Sequence, residues 1–433
     1  MAERSGGRRF PLLCWSWLGL ALLLFALVVP PFWNPDEVQH FAFILDGFVS
    51  AEEHPRLECE VVALLRQTDW LRRAGEDPQG VRRLTDVATF RQLGMVGITG
   101  SGAYGTLYHR LLGAVLRPFR RAPLPRLFLL ARLASLLLSL GALALLWLAL
   151  APRFPALTPL LPLLLALPQF LLLAGAVNYD VLLTLAGALF FLSALRWQVS
   201  HSPGWLVGMM AGVLGAVLTK KGGWLFLPLL GLAVLLSARW RKGLRVLLVL
   251  LAGLAAFAWL NWWFPETFQA AYRTLFASLA SQAEPRMGPG QAGAFLPVLG
   301  RSLVYCFGWL WFSLPPLWYW LYGAAAGVSL AGLLTRRCDG RIICFFGFAL
   351  AAQVAAIWWF YGSRGILGQG RYLFPVLVPL FYLFLEGIAR PHRLMRLAPL
   401  LFVLLQVAAN IIVLLTEIPA VAYLARPASP GGW

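Results

Sequence analysis

The chain has 433 residues, 60% of them hydrophobic and only 12% charged, which is about half the charged share of a soluble domain. Its net charge is +18, but segment 31–123 holds eleven acidic residues and eleven arginines and is neutral, so the excess sits elsewhere. There it forms short clusters between long apolar runs, which excludes a nucleic-acid-binding face and makes the chain an all-α, polytopic membrane protein.

About twenty apolar residues cross a bilayer. The chain offers about eleven such runs: 11–30, 124–150, 155–177, 180–199, 204–218, 222–238, 244–264, 303–334, 342–361, 372–388 and 394–416. Runs 204–218 and 222–238 are short, so one is a candidate re-entrant segment. Run 303–334 is too long for one span, and Pro315-Pro316 is the expected break. With the N-terminus inside, alternate loops collect fifteen basic residues, among them Arg8, Arg9, Arg153, Arg196, Arg239 and Arg390, opposed only by Glu3, Asp339 and Glu386. That bias puts the N-terminus in the cytoplasm of a plasma (inner) membrane. Residues 1–433 then form one transmembrane domain with two extracytoplasmic loops, 31–123 and 265–300; the first carries interfacial helices, and the second is long enough to cover a site. The first run lacks a small-x-small cleavage site and reads as a retained anchor. The cysteines (Cys14, Cys59, Cys306, Cys338 and Cys344) have neither metal spacing nor an even count, which argues against a zinc site and a disulfide framework. No internal repeat is visible, which weighs against a transporter built from inverted halves.

The first outer loop opens with Asn34-Pro35-Asp36-Glu37-Val38-Gln39-His40-Phe41. Asn34 suits the N-cap, Pro35 the first helical position and Glu37 the capping-box position. Val38, Phe41, Ala42, Leu45, Phe48 and Val49 then form one apolar stripe, as expected of a helix lying in the membrane interface. Asp36 and His40 fall on the opposite face. Acids at a helix start satisfy free N–H groups and the dipole, and for Glu37 that role competes evenly with a functional one. Asp36 is the better candidate general base, because Asn34 already fills the cap. His40 reads as a partner of Asp36, a metal co-ligand or a plain polar-face residue.

Further along, ionisable groups bordering apolar runs are functional candidates by default. Asp180 opens the run 180–199, where a helix cap is the rival role. Lys220-Lys221 lie on the outer side, against the charge bias, and suit an anionic ligand better than simple interfacial anchoring. The segment Gly365-Ile366-Leu367-Gly368-Gln369-Gly370-Arg371-Tyr372 combines glycines that permit close backbone approach with an arginine fork for phosphate oxygens. Glu386 is expected to pair with Arg390 along one helix. Arg132, inside its run, either sits near the outer end or binds an acidic partner.

Together these residues resemble the GT-C superfamily of integral-membrane glycosyltransferases. An Asp-Glu pair follows the first span, Leu107-Tyr108-His109 and Ala131-Arg132-Leu133-Ala134-Ser135 resemble the stretch leading into the second, and Asp180 matches an acid that often opens the fourth. Thr219-Lys220-Lys221-Gly222 looks like a Thr-Lys-Gly motif, and Arg371-Tyr372-Leu373-Phe374-Pro375 like Arg-Tyr-Leu-x-Pro. Pro35-Asp36-Glu37 with His40-Phe41 and Gly370-Arg371-Tyr372 is most similar to a bacterial branch of multispanning proteins described only as a domain of unknown function. Thirty-three arginines against three lysines agree with a GC-rich bacterial genome.

The resemblance implies an inverting transfer of a hexose or pentose from a polyprenyl-phosphate donor to a cell-envelope glycan, lipid or protein acceptor at the extracytoplasmic face. Asp36, Glu37 and Asp180 would be the catalytic acids, and Lys220, Lys221 and Arg371 the donor-phosphate ligands. His40, Tyr108, Arg132, Gln369 and Tyr372 would contact substrate. A divalent cation is compatible with the acids beside His40, but nothing in the sequence requires one. The rival readings are a transporter or lipid-linked-sugar flippase, and a non-catalytic membrane protein of the same fold.

Overall fold

Proline decides which apolar runs become straight spans. The computed structural model describes residues 6–34, 36–49, 53–67, 106–236, 289–307, 312–335, 339–362, 368–388 and 397–424. Among these, seven helices are long and apolar enough to cross a membrane: Phe10–Val28, Leu124–Leu150, Asp180–Ser200, Pro316–Leu334, Gly340–Trp359, Gly370–Ile388 and Ala398–Leu415. The chain is an all-α, multi-pass membrane protein.

In chain order the helices are α1 (Gly6–Val28), α2 (Glu37–Asp46), α3 (His54–Gln67), α4 (Leu107–Leu116), α5 (Leu124–Leu150), α6 (Leu161–Leu164), α7 (Pro168–Ala174), α8 (Asp180–Ser200), α9 (Pro203–Thr219) and α10 (Phe226–Leu235). After residues outside the described set come α11 (Pro289–Val304), a hairpin of two-residue strands at Cys306–Phe307 and Phe312–Ser313, α12 (Pro316–Leu334) and α13 (Gly340–Gly362). A 3-10 segment, Gly370–Val376, then runs into α14 (Leu377–Ile388), and α15 spans Ala398–Leu424. Run 303–334 is divided as expected, with α12 starting at Pro316. The expected loop 265–300 is helical from Pro289 onward. Run 244–264 lies outside the described residues.

Run 155–177 does not form the single helix expected of it. Pro155, Pro159, Pro162 and Pro168 each lack an N–H, and the run folds as a 3-10 turn followed by the short α6 and α7. A broken helix leaves carbonyls that lipid cannot solvate. Two polar residues of α15 meet them: Asn410 Nδ2 donates to the carbonyl of Ala166 at 2.8 Å and Gln406 Nε2 to that of Leu164 at 3.4 Å. Run 222–238 is likewise part 3-10, over Lys221–Leu225, before α10.

Two spans sit innermost. In Asp180–Ser200 and Gly370–Ile388, 78% of the most apolar window is buried, against 17% in Pro316–Leu334. They touch through glycines. A side chain on Gly187 would meet the Pro375 carbonyl oxygen at 2.1 Å, and one on Gly370 would meet the Leu303 amide nitrogen at 2.0 Å. Both positions therefore admit only glycine, and the Gly370 approach is to α11, not to a ligand. The Gly370 amide also donates to Ser302 Oγ at 2.7 Å.

Helix α2 buries its polar face as well as its apolar one. His40 is buried along with the apolar stripe, as are Glu37 and Ile44, so the helix is embedded in protein against α4. Its start is held by a buried ion pair. Glu37 and Arg132 are 0% and 3% exposed, and Arg132 Nε and Nη2 each reach a Glu37 oxygen at 2.9 Å. The remaining guanidinium hydrogens go to the carbonyls of Ala26, Val29 and Pro30 at the end of α1. Glu37 also accepts from the amides of Phe32 and Val177, both at 3.0 Å. All five donors of the arginine and four contacts of the carboxylate are thus used within the protein. A second pair, Arg153 with Glu386, joins the far ends of α5 and α14. The expected partner of Glu386, Arg390, lies outside the described residues.

Leaving one member of a buried pair alone typically costs about 3–5 kcal/mol. The Arg132→Met variant is therefore expected to lose about that much unfolding free energy in detergent, and Arg132→Met/Glu37→Leu to recover part of it. Equal stability of wild type and Arg132→Met would refute the role given to this pair.

Candidate functional site

Four charged side chains meet where the two innermost spans begin. Asp180 is the first residue of α8, and Arg371 is the second of the 3-10 segment. Lys220 follows α9 in an extended backbone conformation (φ −154°). Asp36, at the N-cap of α2, has left-handed backbone angles of φ 63° and ψ 3°, which Asp tolerates better than most residues. Asn34 is not the cap; its buried side-chain amide has no hydrogen-bond partner among the described residues.

The four alternate in charge. Arg371 Nη2 donates to Asp36 Oδ2 at 2.6 Å, and Lys220 Nζ to Asp180 Oδ1 at 2.6 Å. Arg371 Nε is 3.9 Å from Asp180 Oδ2, an ionic contact too long for a hydrogen bond. Aromatic rings close the group: Lys220 Nζ lies 4.5 Å from the Tyr179 centroid and 4.4 Å from that of Tyr372. The Tyr372 hydroxyl is 3.2 Å from Arg371 Nη2. Two features point to a ligand. Arg371 is 3% exposed, yet its Nε and Nη1 have no acceptor among the described residues. The Asp36 side chain, by contrast, is 28% exposed and is the most accessible of the four.

The expected site residues therefore separate. Asp36, Asp180, Lys220, Arg371 and Tyr372 come together, and Gln369 adjoins them as the N-cap of the 3-10 segment. The Lys221 side chain and Gly365 lie outside what the structure describes. Glu37 and Arg132, expected at the substrate, are consumed by their own pairing. Tyr108 is likewise corrected: it is fully buried, and its hydroxyl is 2.7 Å from Ser135 Oγ. Asp180 does not cap its own helix; Asn178 Oδ1 accepts the Asp180 amide at 2.8 Å. His40 does not pair with Asp36 but stacks on His109, with His40 Nδ1 and His109 Nε2 3.0 Å apart.

Sequence reasoning missed His109 and Tyr179. The signal for His109 was Thr106 three residues earlier, a capping box with histidine in the place of Glu or Gln. Among the described residues no group of three or more His, Cys, Asp and Glu gathers as a metal site. The two acids at the site are each bound to a cationic side chain, so this donor set does not favour a divalent ion.

Beside the cluster lies an apolar cavity of about 740 Å³ between α11, the hairpin, α12 and α14, lined by Val304, Leu314, Tyr319, Leu380 and Phe384. Its lining includes Ser302, which holds Gly370 next to Arg371. Comparison with protein-family models, curated proteins and solved structures finds no match to the chain.

Burial pulls the Asp36 carboxyl upward, but Arg371 and Lys220 outweigh it and hold the group below its ordinary value of 3.8. A depressed carboxyl stabilises the fold fully above its unfolded pKa, and that contribution is lost as pH falls through the folded value. Thermal melts are expected to show wild type losing stability below about pH 4 more steeply than Asp36→Asn. Parallel acid limbs would contradict the Asp36–Arg371 pairing.

Proposed function

We propose that the chain is a membrane glycosyltransferase that moves a sugar from a polyprenyl-phosphate donor to an acceptor at the extracytoplasmic face of a bacterial inner membrane. The observation that carries this reading is Arg371: a buried guanidinium whose Nε and Nη1 have no acceptor among the described residues, beside Lys220 and one accessible carboxylate. Unpartnered buried donors are costly, and phosphate oxygens satisfy them with strong, charge-assisted bonds. The GT-C resemblance of the surrounding motifs supplies the substrate class, and the adjacent apolar cavity suits a prenyl chain.

In the reaction, Asp36 takes the proton from an acceptor hydroxyl. The acceptor oxygen attacks the anomeric carbon from the face opposite the donor phosphate, and the bond from that carbon to the phosphate oxygen breaks. The electron pair leaves with the polyprenyl phosphate, whose growing charge Arg371 and Lys220 stabilise. Asp180 holds Lys220 in place. With its carboxyl held low, Asp36 is ionised at physiological pH, the form a base requires. A transporter would place ionisable groups near the bilayer midplane, whereas Asp180 and Arg371 are the first and second residues of their spans.

Asp36→Asn is expected to abolish transfer from a panel of polyprenyl-phosphate sugars while the purified protein stays folded; turnover at the wild-type rate would sink the assignment. Arg371→Ala is expected to raise the donor KM and lower kcat. Unchanged kinetics at limiting donor would remove Arg371 from the phosphate site.

A further inference from the structure

The His40–His109 pair lies beside the charge cluster and has no part in the reaction as drawn. Its protonation pattern follows from one backbone bond. The Thr106 amide, which can only donate, reaches His109 Nδ1 at 3.1 Å. The Thr106 hydroxyl lies 2.9 Å from the same nitrogen. A neutral His109 therefore carries its hydrogen on Nε2 and donates it to His40 Nδ1 at 3.0 Å. That occupies the acceptor nitrogen of His40 and leaves its hydrogen on Nε2. His40 is 4% exposed, and this outward Nε2–H is buried without a partner among the described residues. Burial also lowers the pKa of both rings, His40 to about 3, so the neutral forms persist at physiological pH.

Three buried donors without acceptors thus share one neighbourhood: Arg371 Nε, Arg371 Nη1 and His40 Nε2. His40 sits one turn along α2 from Asp36, its backbone amide bonded to the Asp36 carbonyl at 3.0 Å. The Tyr179 ring joins the groups, 4.3 Å from the His40 ring and 4.5 Å from Lys220 Nζ. Lys220 and Arg371 are balanced by two carboxylates, so the cluster carries no net charge.

We propose that His109 is a positioning residue that sets His40 as a neutral N–H donor to the same phosphate oxygens that Arg371 binds. The proposal rests on the phosphate reading above. A neutral donor needs no counter-ion, so His40 adds a hydrogen bond to the leaving phosphate that no acid at the site competes for. The occupant is a tetrahedral oxyanion on a lipid, with His40 fixing its rotation beside Asp36.

Decaprenyl monophosphate binding in detergent, together with nitrogen NMR of 15N-histidine-labelled protein, tests this. Wild type is expected to show His40 protonated at Nε2 and bare at Nδ1, with the Nε2 resonance moving on addition of the lipid. His40→Phe keeps the ring and removes the donor, and should weaken binding roughly tenfold or more. His40→Gln, which offers an amide N–H, should regain most of it. In His109→Phe the single tautomer should be lost and binding should fall to the His40→Phe level. If Arg371→Ala loses binding while His40→Phe binds like wild type, or if the wild-type Nε2 resonance does not move, the relay is overturned and the phosphate site stands. If wild type does not bind, the phosphate reading fails and the relay with it. Should His40→Phe fail to fold, the wild-type NMR measurement decides alone.

Discussion

Arg132 lies within a span, where each N–H demands an acceptor that lipid hydrocarbon cannot offer. Arg132 meets that demand by drawing in three separate pieces of chain: the carbonyls at the end of α1, the carboxylate that opens α2, and through that carboxylate the amide just before α8. The consequence is geometric. The exit of the first span, the entry of the second and the turn leading to Asp180 are gathered at one end of the bundle. Asp36 precedes Glu37 in the chain, so fixing one carboxylate fixes the other's place. The adjacent acids thus differ in their surroundings: one is sealed within the protein and the other remains partly exposed.

The candidate site sits on the two most buried spans because a polar group at a span end is tolerable only when a partner is built in. Asp180 and Arg371 open those spans, and each finds an opposite charge on a different element. Glycine makes the meeting possible. With any side chain at position 187 or 370, the 3-10 segment would be pushed off α8 or α11 and Arg371 with it. A turn of 3-10 helix under the arginine, instead of α-helix, follows from Pro375, which removes a backbone donor from the segment.

Much of this was readable from residue order. Apolar runs with terminal charges predict spans, and five of the residues singled out, Asp36, Asp180, Lys220, Arg371 and Tyr372, do meet. What one dimension hides is pairing at distance. Glu37 has the spacing of a capping residue, and nothing local says that Arg132, ninety-five residues away, has all its donors to give. Glu386 binds Arg153 across the bundle, 233 residues away in the chain, which its local sequence does not announce. Run 155–177 is apolar enough to span and was read as one helix, but its prolines break it; the rescue by Gln406 and Asn410 was beyond sight because it depends on a helix near the end of the chain. His109 was overlooked because a histidine in a capping position looks like local chemistry alone.

The charge pairs also differ in how far apart their members are made. Asp180 and Lys220 are 40 residues apart, on consecutive hairpin helices, and can neutralise each other as soon as both have left the ribosome. Glu37 waits for Arg132 across 95 residues. Asp36 waits longest, because Arg371 is synthesised 335 residues later. The acid that must stay unpaired through most of biogenesis is also the most exposed of the four, and an uncompensated charge costs least where it is least buried. Completion of the charge cluster is therefore among the last events of assembly, and a chain truncated before residue 371 would insert most of its spans and still lack the Asp36–Arg371 pair.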